Sequence, residues 1–566
     1  MTIPSVAHTA EFQRVANLPR RVWATEDLAT LAKDLTSILR TPNGTMHLRP
    51  VQALALHDAG IEGGLFGPIG VGEGKTLVTL LLPVVLSARR PLLLLPAGLI
   101  EKTQRDRLAL SMHWRIPNTL RVFSYNMLGL VQAKDELETY APDLIICDEV
   151  HRLKNRRAAV TRRVARYMHA FPTTRFCGLS GTVMDKSMTD FAHILLWCLK
   201  FGAPIPTSRE EIEEWAEALD DGVDPLARRR AGALLEFART PYGPADEHIA
   251  ARRGFRRRLT ETPGVVATVG EGEHVDCSIY VREIRSKVSP ATEANFAKLR
   301  GEWQTPDGWE LMTAVDVWRH AQELALGLHY IWSPRPPDEW RLARSTWGKF
   351  VRDTISRSHT YDSELHVANA CDAGALDGTS LEAWRRVRPT FTPNVVPVWH
   401  DDSALIACRD WMRRPGLVWT EHGFFASRLA QFANVPYYGA GGLTVDGRYI
   451  EDSPEGCSAI ASIDANREGK NLQKLWSRCL FVCSPSSSAW IEQAIARIHR
   501  PGQTADEVIV DVLLGCRENY DAVIKSIAAA RAVQDVTGKQ QKILLADVTL
   551  PTEEQINALR SPRWQR

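Results

Sequence analysis

A glycine-rich stretch that ends in Lys-Thr is where residue types and spacing first indicate chemistry. It reads Gly64-Leu-Phe-Gly-Pro-Ile-Gly-Val-Gly-Glu-Gly-Lys-Thr76 and runs directly into the apolar residues 77–82. Glycines let the backbone turn so that successive N–H groups point inward, and the N-terminus of a following helix adds a partial positive charge. This stretch, the glycine-rich loop, therefore predicts a site for nucleotide phosphates. The alternative is a glycine-rich turn that binds no ligand.

Two side chains at the end of the loop have defined uses in such a site. We expect Lys75 to reach the β- and γ-phosphates and the Thr76 hydroxyl to complete a Mg²⁺ site. Ile69 stands where the G-x-x-x-x-G-K-[ST] pattern has its first glycine. The glycines expected to line the nucleotide are Gly70, Gly72 and Gly74. Together these residues predict that ATP and Mg²⁺ are the cofactors.

An acidic pair follows an apolar run further along the chain. Residues 143–147, Asp-Leu-Ile-Ile-Cys, precede Asp148 and Glu149. At a strand end Asp148 is placed to hold Mg²⁺ through water, and Glu149 to orient and deprotonate an attacking water, as phosphoryl transfer requires. An isolated Asp-Glu pair is otherwise ordinary protein surface, so its position downstream of the loop is what favours catalysis.

Short apolar runs bounded by proline or glycine surround these motifs and alternate with helical patterns, which is typical of a parallel α/β sheet. We predict a buried helix over residues 77–86 and place Gln52 at the head of the helix that precedes the loop. The predicted strands are residues 91–96, 119–125, 143–147 and 175–180. Ligands of such sheets bind at the carboxyl ends of the strands, so Asp148, Glu149 and Ser180-Gly-Thr182 are expected there.

A second α/β unit is predicted from about residue 402. Its strands are expected at residues 416–420, 435–438, 459–463, 479–483 and 508–513, and its helices at 424–433, 488–499 and 520–530. The region between the units combines an acidic helix, arginine clusters, a β-like segment over 274–283 and several tryptophans. We expect the tryptophans to be packing residues rather than platforms for bases, and the arginines to be solvated surface or phosphate contacts.

The composition is that of an ordinary globular protein. Of 566 residues, 44% are hydrophobic and 24% charged, and the formal net charge is +2. Ten cysteines without a C-x-x-C pair indicate neither a zinc module nor a disulfide framework, and they favour a reducing compartment. The first residues lack a secretory pattern, and the longest apolar region, residues 77–100, is interrupted by Arg89-Arg90-Pro91. We therefore expect a cytoplasmic protein with no membrane partner.

Two segments resemble the Swi/Snf-type ATPases, a branch of helicase superfamily 2. Asp148-Glu-Val-His-Arg-Leu-Lys-Asn155 is similar to the acidic motif of that branch. Ile491-Glu-Gln-Ala-Ile-Ala-Arg-Ile-His-Arg-Pro-Gly-Gln503 is similar to its last motif, Q-A-x-x-R-x-H-R-x-G-Q. The resemblance covers about residues 48–190 and 402–535, but not the region between. It also accommodates Ile69, since members of superfamily 2 often lack the first loop glycine.

In the first unit the resemblance implies a role for each matching residue. Gln52 corresponds to a glutamine that reads adenine, and Lys75 and Thr76 to the phosphate and Mg²⁺ residues. Ser180-Gly-Thr182 resembles the motif that links hydrolysis to movement. The residues implied to contact a nucleic-acid backbone are Pro96, Ser124 and Tyr125.

In the second unit the resemblance implies an arginine that reaches the γ-phosphate when the cleft closes. Arg497 and Arg500 both match, Arg500 is the favoured finger, and Gln493 belongs to the same motif. An arginine delivered from the other lobe makes hydrolysis depend on closure. The alternative is that these arginines lie on a helix surface without a catalytic role.

Residues 462–472 depart from the family pattern S-x-x-A-G-G-x-G-L-N-L. Asn466 and Arg467 replace two glycines, Lys470 replaces a leucine, and the acid expected after the next strand is Ser484. Loss of glycine restricts a loop, whereas added cations are available for phosphate contacts. The residues expected to contact nucleic acid here are Ser462, Arg467, Lys470 and Asn471.

The resemblance implies two RecA-like parallel-sheet lobes with ATP and Mg²⁺ between them. The predicted divisions are a helical lead-in (1–40), an ATP-binding lobe (41–200), a mixed, Trp-rich helical insertion (201–400), a second lobe (401–545) and a tail (546–566). The expected function is ATP-driven translocation on double-stranded DNA, remodelling protein–DNA complexes, in a compact phage- or bacterial-like member of the family. One alternative is a strand-separating DNA or RNA helicase, with RNA or single-stranded DNA as possible partners. The other is a non-hydrolysing scaffold that holds a protein partner through its insertion.

Overall fold

The computed structural model describes residues 4–21, 25–70, 73–181, 187–220, 228–238, 243, 247–268, 277–358, 360–483, 485, 487–537 and 540–550. The chain divides into two compact units, each assembled from separate stretches of sequence. The first unit contains Met1–Gly272, Arg344–Trp384 and Arg531–Gln540. The second contains Glu273–Ala343, Arg385–Ala530 and Gln541–Arg566.

The secondary structure is mixed α/β. The helices up to residue 260 are α1 (Ala10–Asn17), α2 (Thr25–Leu39), α3 (Pro50–Glu62), α4 (Lys75–Val85), α5 (Ile100–Ser111), α6 (Tyr125–Gly129), α7 (Glu136–Tyr140), α8 (Ala159–Ala170), α9 (Thr189–Leu199), α10 (Arg209–Leu219) and α11 (Glu247–Thr260). The later helices are α12 (Pro290–Glu302), α13 (Ala314–Ala325), α14 (Asp338–Arg357), α15 (Glu364–Asp372), α16 (Thr379–Val387), α17 (Ser403–Trp411), α18 (Gly423–Ala433), α19 (Ile463–Asn466), α20 (Ser488–Ile498), α21 (Arg517–Thr537) and α22 (Lys542–Leu545). The strands are β1 (Leu65–Gly67), β2 (Pro91–Leu95), β3 (Arg121–Ser124), β4 (Leu144–Asp148), β5 (Arg175–Leu179), β6 (Ser278–Arg285), β7 (Leu328–Trp332), β8 (Val395–Trp399), β9 (Leu417–Thr420), β10 (Tyr437–Tyr438), β11 (Ala459–Ser462), β12 (Arg478–Phe481), β13 (Glu507–Leu514) and β14 (Asp547–Thr549).

The first unit is built on a five-stranded sheet in the order β1-β5-β4-β2-β3, with every pair parallel. All four strands predicted for this unit are confirmed. Neighbouring residues of a strand face opposite sides of the sheet, and both sides here are covered. Leu92 and Leu94 belong to one buried cluster, whereas Leu93 and Leu95 belong to another. Burial on both faces explains why β2 is a continuous apolar run rather than an alternating one.

The second unit is built on a seven-stranded sheet in the order β10-β11-β9-β12-β13-β6-β14, again with every pair parallel. The five strands predicted after residue 402 all lie in it. β6, which comes from the region between the two predicted lobes, pairs with β13 over eight residues. Both faces of this sheet are covered as well, since the neighbouring β9 residues Val418 and Trp419 belong to different buried clusters.

The region between the predicted lobes is divided between the two units. Residues 201–272 and 344–384 belong to the first unit, and residues 273–343 and 385–400 to the second. In the second unit, β7 and β8 form a separate antiparallel pair. In the first unit, Asp362 is buried against α8, where it accepts hydrogen bonds from Arg163 (Nε, 3.3 Å) and Arg166 (Nη1, 3.1 Å).

Two of the clustered arginines of the middle region lie inside the protein rather than at its surface. Arg252 and Arg258 of α11 are 4% and 0% exposed. The Arg258 guanidinium donates to the carbonyls of Val15 (2.9 Å) and Leu18 (3.0 Å), at the end of α1. These two arginines therefore fix helix ends rather than offering charge to a phosphate.

Tryptophans of the middle region are divided between interior and surface. Trp340 and Trp347 are both 2% exposed, which fits the expected packing role, whereas Trp303 is 42% exposed. Of the helices that the structure describes, none combines the length and the apolar character that crossing a bilayer requires.

Candidate functional site

The carboxyl edge of the first sheet brings the predicted motifs together. The β5 residue Leu179 pairs with Gly67 at the end of β1 on one side and with Asp148 at the end of β4 on the other. The glycine-rich loop that follows β1, the acidic pair that ends β4 and Ser180 after β5 are therefore neighbours. This clustering follows from the parallel topology, because parallel strands end at the same edge of a sheet.

The described part of the glycine-rich loop is held by polar contacts with its own backbone. Gly74 adopts a φ of 74° and precedes Lys75, the first residue of α4. The Lys75 Nζ donates to the carbonyls of Ile69 and Gly70, at 3.2 Å each. The Gly70 N–H donates to the Thr268 hydroxyl at 2.8 Å. An ammonium group thus lies at a helix N-terminus against the described loop carbonyls, where cationic and N–H groups together favour an anion.

One predicted glycine, Gly72, lies outside the described residues, as do Thr182 and Ser484. Thr76, the second residue of α4, lies in the first turn of the helix beside Lys75.

Gln52 connects α3 to the glycine-rich loop. Its side chain is 5% exposed, and its Nε2 donates to the carbonyls of Glu73 (3.2 Å) and Gly74 (3.3 Å). Its Oε1 accepts a hydrogen bond from the Arg49 N–H at 2.9 Å. All of these contacts are with backbone groups, so Gln52 joins the start of α3 to the end of the loop.

Glu149 is the centre of a three-residue hydrogen-bonded cluster. Its backbone φ of 54° is in the left-handed region, which turns the chain sharply at the end of β4. The Ser180 hydroxyl donates to the Glu149 carboxylate at 2.9 Å, and His151 Nδ1 lies 3.4 Å from the same oxygen. His151 Nδ1 is also 2.9 Å from the Ser180 hydroxyl. The residue carrying the acid is thus oriented by two neighbours from β5 and from the turn after β4.

The cluster keeps the Glu149 carboxyl ionised. Burial opposes ionisation, but the positive charge of Lys75 and the hydrogen bonds from His151 and Ser180 outweigh it and hold the pKa of Glu149 well below its usual range. The carboxylate is therefore charged and accepts hydrogen bonds at neutral pH.

Asp148 and Thr76 are the groups of this edge suited to a metal ion. Asp148 is 9% exposed, and one of its carboxylate oxygens accepts from the Glu149 N–H at 3.1 Å. A carboxylate and a hydroxyl are hard oxygen donors of the kind that Mg²⁺ takes. The described ranges contain no cluster of three or more His, Cys, Asp and Glu side chains able to hold a metal.

Of the three residues predicted to contact nucleic acid in the first unit, two have side-chain hydrogen-bond partners within the protein and the third is buried. Tyr125 is 5% exposed, and its hydroxyl donates to the Asp148 carbonyl at 2.8 Å. The Ser124 hydroxyl caps α6 by accepting from the Met127 N–H at 3.0 Å. Pro96 is buried at the end of β2. Tyr125 therefore supports the strand end that carries the acidic pair.

In the second unit, the predicted arginines lie at the end of α20 and just after it, and both contact the segment 466–471. Arg497 is 4% exposed, and it donates to the carbonyls of Gln493 (Nε, 3.0 Å) and Lys470 (Nη1, 3.2 Å). Arg500 donates through Nη1 to the Asn471 side chain (2.6 Å) and to the Lys470 carbonyl (3.3 Å). Both arginines thus bond to the same short segment, which we name the 466–471 loop.

The residues of this loop that depart from the pattern S-x-x-A-G-G-x-G-L-N-L all have hydrogen-bond partners within the protein. Arg467 is 4% exposed and donates through Nε to the Gln493 side-chain carbonyl at 3.1 Å. Lys470 Nζ donates to Glu451 at 2.9 Å. The Ser462 carbonyl accepts from the Asn466 side chain at 3.0 Å. The structure therefore places Arg467 in the interior rather than on an open surface.

Thr268 carries no signal in the sequence, and Tyr125 is predicted from the sequence in a different role. Thr268 reaches Gly70 from 198 positions away, and a single threonine in an irregular segment follows no pattern. Tyr125 was assigned to nucleic acid, yet its hydroxyl bonds to the Asp148 carbonyl. A buried aromatic at the start of α6, immediately after a strand end, is the feature that indicates such support.

Comparison with known proteins adds no family to these observations. The chain matches no protein-family model, and no curated protein matches it significantly. The candidate site of the first unit therefore rests on the geometry of the strand ends and the glycine-rich loop, and Arg497 and Arg500 are described within the second unit.

Proposed function

We propose that the protein is an ATP hydrolase that uses hydrolysis to move along double-stranded DNA and remodel protein–DNA complexes, in the manner of the Swi/Snf-type enzymes that two of its motifs resemble. The two parallel-sheet units would correspond to two RecA-like lobes. The observation that carries the proposal is the ionised Glu149, oriented by Ser180 and His151 beside a glycine-rich loop with a lysine at a helix N-terminus.

The glycine-rich loop is suited to bind a nucleoside triphosphate. Lys75 is held against loop carbonyls by hydrogen bonds that a phosphate oxygen is able to replace, since a charged acceptor binds an ammonium more strongly than a carbonyl does. Gln52 adds a buried side-chain amide adjacent to the loop. If its Nε2 exchanges a bond to a loop carbonyl for one to the nucleotide, it is suited to hydrogen-bond the edge of the base. Gly70 and Gly74 keep this wall free of side chains.

Glu149 supplies the general base of the proposed reaction. Its carboxylate orients an attacking water and accepts its proton, while Ser180 and His151 keep the acceptor oxygen in place. Thr76 and Asp148 are the residues that would hold Mg²⁺, which supplies positive charge to phosphate oxygens when bound. Tyr125 keeps the end of β4, and with it both acids, in position.

Arg497 of α20 and Arg500, which follows that helix, are proposed to act on the same nucleotide. Arg497 is buried with its guanidinium bonded to backbone carbonyls, whereas Arg500 is partly exposed and bonded to the side chain of Asn471 and to the Lys470 carbonyl. The more exposed side chain is the better candidate for a finger that stabilises transferring phosphate, so we assign that role to Arg500. Arg497 and Gln493 then support it.

Double-stranded DNA is the proposed track. Binding would rest on backbone phosphates, which makes it sensitive to salt and nearly independent of sequence. Pro96, Ser124, Ser462 and Asn471 remain the proposed contact positions. Their backbone groups are the part suited to this, given that the Ser124 and Asn471 side chains have partners within the protein.

Steady-state ATP hydrolysis tests the proposal. The wild-type protein and Glu149→Gln are measured alone and with duplex DNA, single-stranded DNA or RNA, and Glu101→Gln, an exposed acid of α5, serves as the matched control. We expect hydrolysis that duplex DNA stimulates, a loss of about a hundredfold or more in Glu149→Gln with ATP still bound, and no change in Glu101→Gln. Preferential stimulation by single strands or RNA would indicate a strand-separating helicase, and no hydrolysis under any condition would refute the proposal.

A further inference from the structure

We propose that Arg467 is a positioning residue that acts through Gln493 and the 466–471 loop to hold Arg500 in its working place. This inference rests on the proposed function, because it assigns Arg500 to the nucleotide. It concerns residues that depart from the family pattern, so the resemblance does not supply it. All of the residues involved belong to the second unit.

Arg467 is fixed on several sides. Its guanidinium carbon lies 3.9 Å from the centre of the Trp490 ring, and its side chain is 4% exposed. Its Nε donates to the Gln493 side-chain carbonyl at 3.1 Å, and its Nη1 donates to Asp464 at 2.6 Å. Stacking on an indole together with two directed hydrogen bonds restricts the planar guanidinium group of Arg467 to one orientation.

The contacts continue from Arg467 to the two arginines that follow it. The main-chain carbonyl of Gln493 accepts a hydrogen bond from Arg497 Nε at 3.0 Å. The main-chain carbonyl of Lys470 accepts one from Arg497 Nη1 at 3.2 Å. That same Lys470 carbonyl accepts from Arg500 at 3.3 Å. Movement of the 466–471 loop would therefore move the acceptors on which Arg500 rests.

A backbone hydrogen bond ties the loop to the end of α20 as well. The Leu472 N–H donates to the Arg497 carbonyl at 3.2 Å. The Lys470 carbonyl and the Leu472 N–H thus both bond to Arg497, one through its side chain and one through its backbone. Loop and helix end are joined in both directions, so they are expected to shift together.

Side chains take over the task that glycines have in the family pattern. Asn466, which is fully buried, donates to the carbonyls of Tyr438 (3.1 Å) and Ser462 (3.0 Å). Lys470 Nζ is paired with Glu451 at 2.9 Å. A loop that has lost two of its glycines keeps one conformation through such contacts, and Arg467 is the contact that reaches α20, the helix just before Arg500.

The first test is a double-mutant cycle on ATP hydrolysis. Arg467→Lys keeps the positive charge near Trp490 but loses the Nε donor to Gln493. We expect a fall in kcat of about tenfold, the cost of one hydrogen bond from a charged group, with KM for ATP unchanged. Because Arg467 acts through Arg500, the double variant Arg467→Lys/Arg500→Ala should be no slower than Arg500→Ala. Lys474→Ala, an exposed cation just after the loop, is the control and should keep wild-type kcat.

The second test does not depend on hydrolysis. Amide hydrogen exchange is followed in the peptide that contains Leu472, whose N–H bonds to the Arg497 carbonyl. Arg467→Lys should exchange faster there than wild type and Lys474→Ala. A wild-type protein without hydrolysis refutes the proposed function, while the exchange result still decides whether Arg467 holds the loop.

Three results would overturn the inference. The first is an amide exchange rate at Leu472 that does not change in Arg467→Lys. The second is a kcat that does not change although exchange is faster. The third is a double variant whose kcat falls by the product of the two single-variant losses.

Discussion

At the scale of single residues, Glu149 shows how a general base is prepared by its surroundings. Burial alone would protonate a carboxyl, and the neighbouring charge of Lys75 with two hydrogen bonds reverses that tendency. The left-handed φ of Glu149 aims the side chain toward Ser180 rather than along the strand. The position of Glu149 at a strand end and its backbone conformation therefore set where the carboxylate lies, and the neighbouring charge and hydrogen bonds keep it ionised.

The pH dependence of hydrolysis tests this arrangement. Ser180 contributes a hydrogen bond that lowers the pKa of Glu149, so Ser180→Ala should raise that pKa toward its usual range. A higher pKa means that the carboxylate is protonated at higher pH, so the acid limb of the kcat profile should move upward in pH. Both pKa values lie at or below the ordinary carboxyl value of 4.5, so we expect the shift in profiles measured below about pH 5. Ser111→Ala, an exposed serine of α5, should leave the profile in place, and coincident profiles for Ser180→Ala would contradict the assignment.

At the scale of elements, the glycine-rich loop depends on one backbone conformation. Gly74 has a φ of 74°, and a Cβ placed there would lie 2.1 Å from Gln52 Nε2. Gly74→Ala should therefore cost about 1–2 kcal/mol in backbone strain and also displace Gln52. We expect a large loss of affinity for a fluorescent ATP analogue. Gly98→Ala, where a Cβ meets nothing within 4 Å, is the control, and equal affinity in both variants would contradict the prediction.

Element types were predictable where the local pattern is strong. β2 and β4 are short apolar runs bounded by proline or acidic residues, and both were predicted from those runs alone. β1 was missed because a three-residue strand within a glycine-rich stretch is too short to show a period. The strand character of β6 was visible, but its pairing with β13, 229 residues away at Tyr280 and Ile509, is a long-range fact that no window contains.

The candidate site was predictable to the same extent. Lys75 and Glu149 were identified from motifs, because phosphate binding and water activation require those residue types at strand ends. The bond from Thr268 to the loop and the burial of Arg467 were not, since both depend on how distant segments pack. Buried arginines are the type of residue most often misplaced, because a charged side chain is predicted to lie at the surface until its partners in the fold are known.

At the scale of the whole molecule, each unit is assembled from segments far apart in sequence. Asp362 illustrates the consequence, because its 3%-exposed side chain pairs with Arg163, which is 1% exposed. Removing one partner of a buried ion pair leaves an uncompensated charge, so Asp362→Ala should destabilise the first unit by about 3–5 kcal/mol. Urea unfolding measures the change, and Asp135→Ala, with a side chain 66% exposed, should shift it little. Equal unfolding midpoints for the two variants would contradict this account.

The same organisation predicts that the first unit cannot be isolated by cutting the chain once. A fragment of residues 1–272 contains the whole five-stranded sheet but lacks Arg344–Trp384 and Arg531–Gln540. It would leave Arg163 without Asp362 and would remove Val533 and Val536, which are 4% and 0% exposed, from the core cluster shared with α1 and α11. We therefore expect the fragment to lack a cooperative thermal transition and sharp near-ultraviolet circular dichroism. The full chain is the reference, and a fragment that unfolds cooperatively at a temperature near that of the full chain would show that these later segments are dispensable to the first unit.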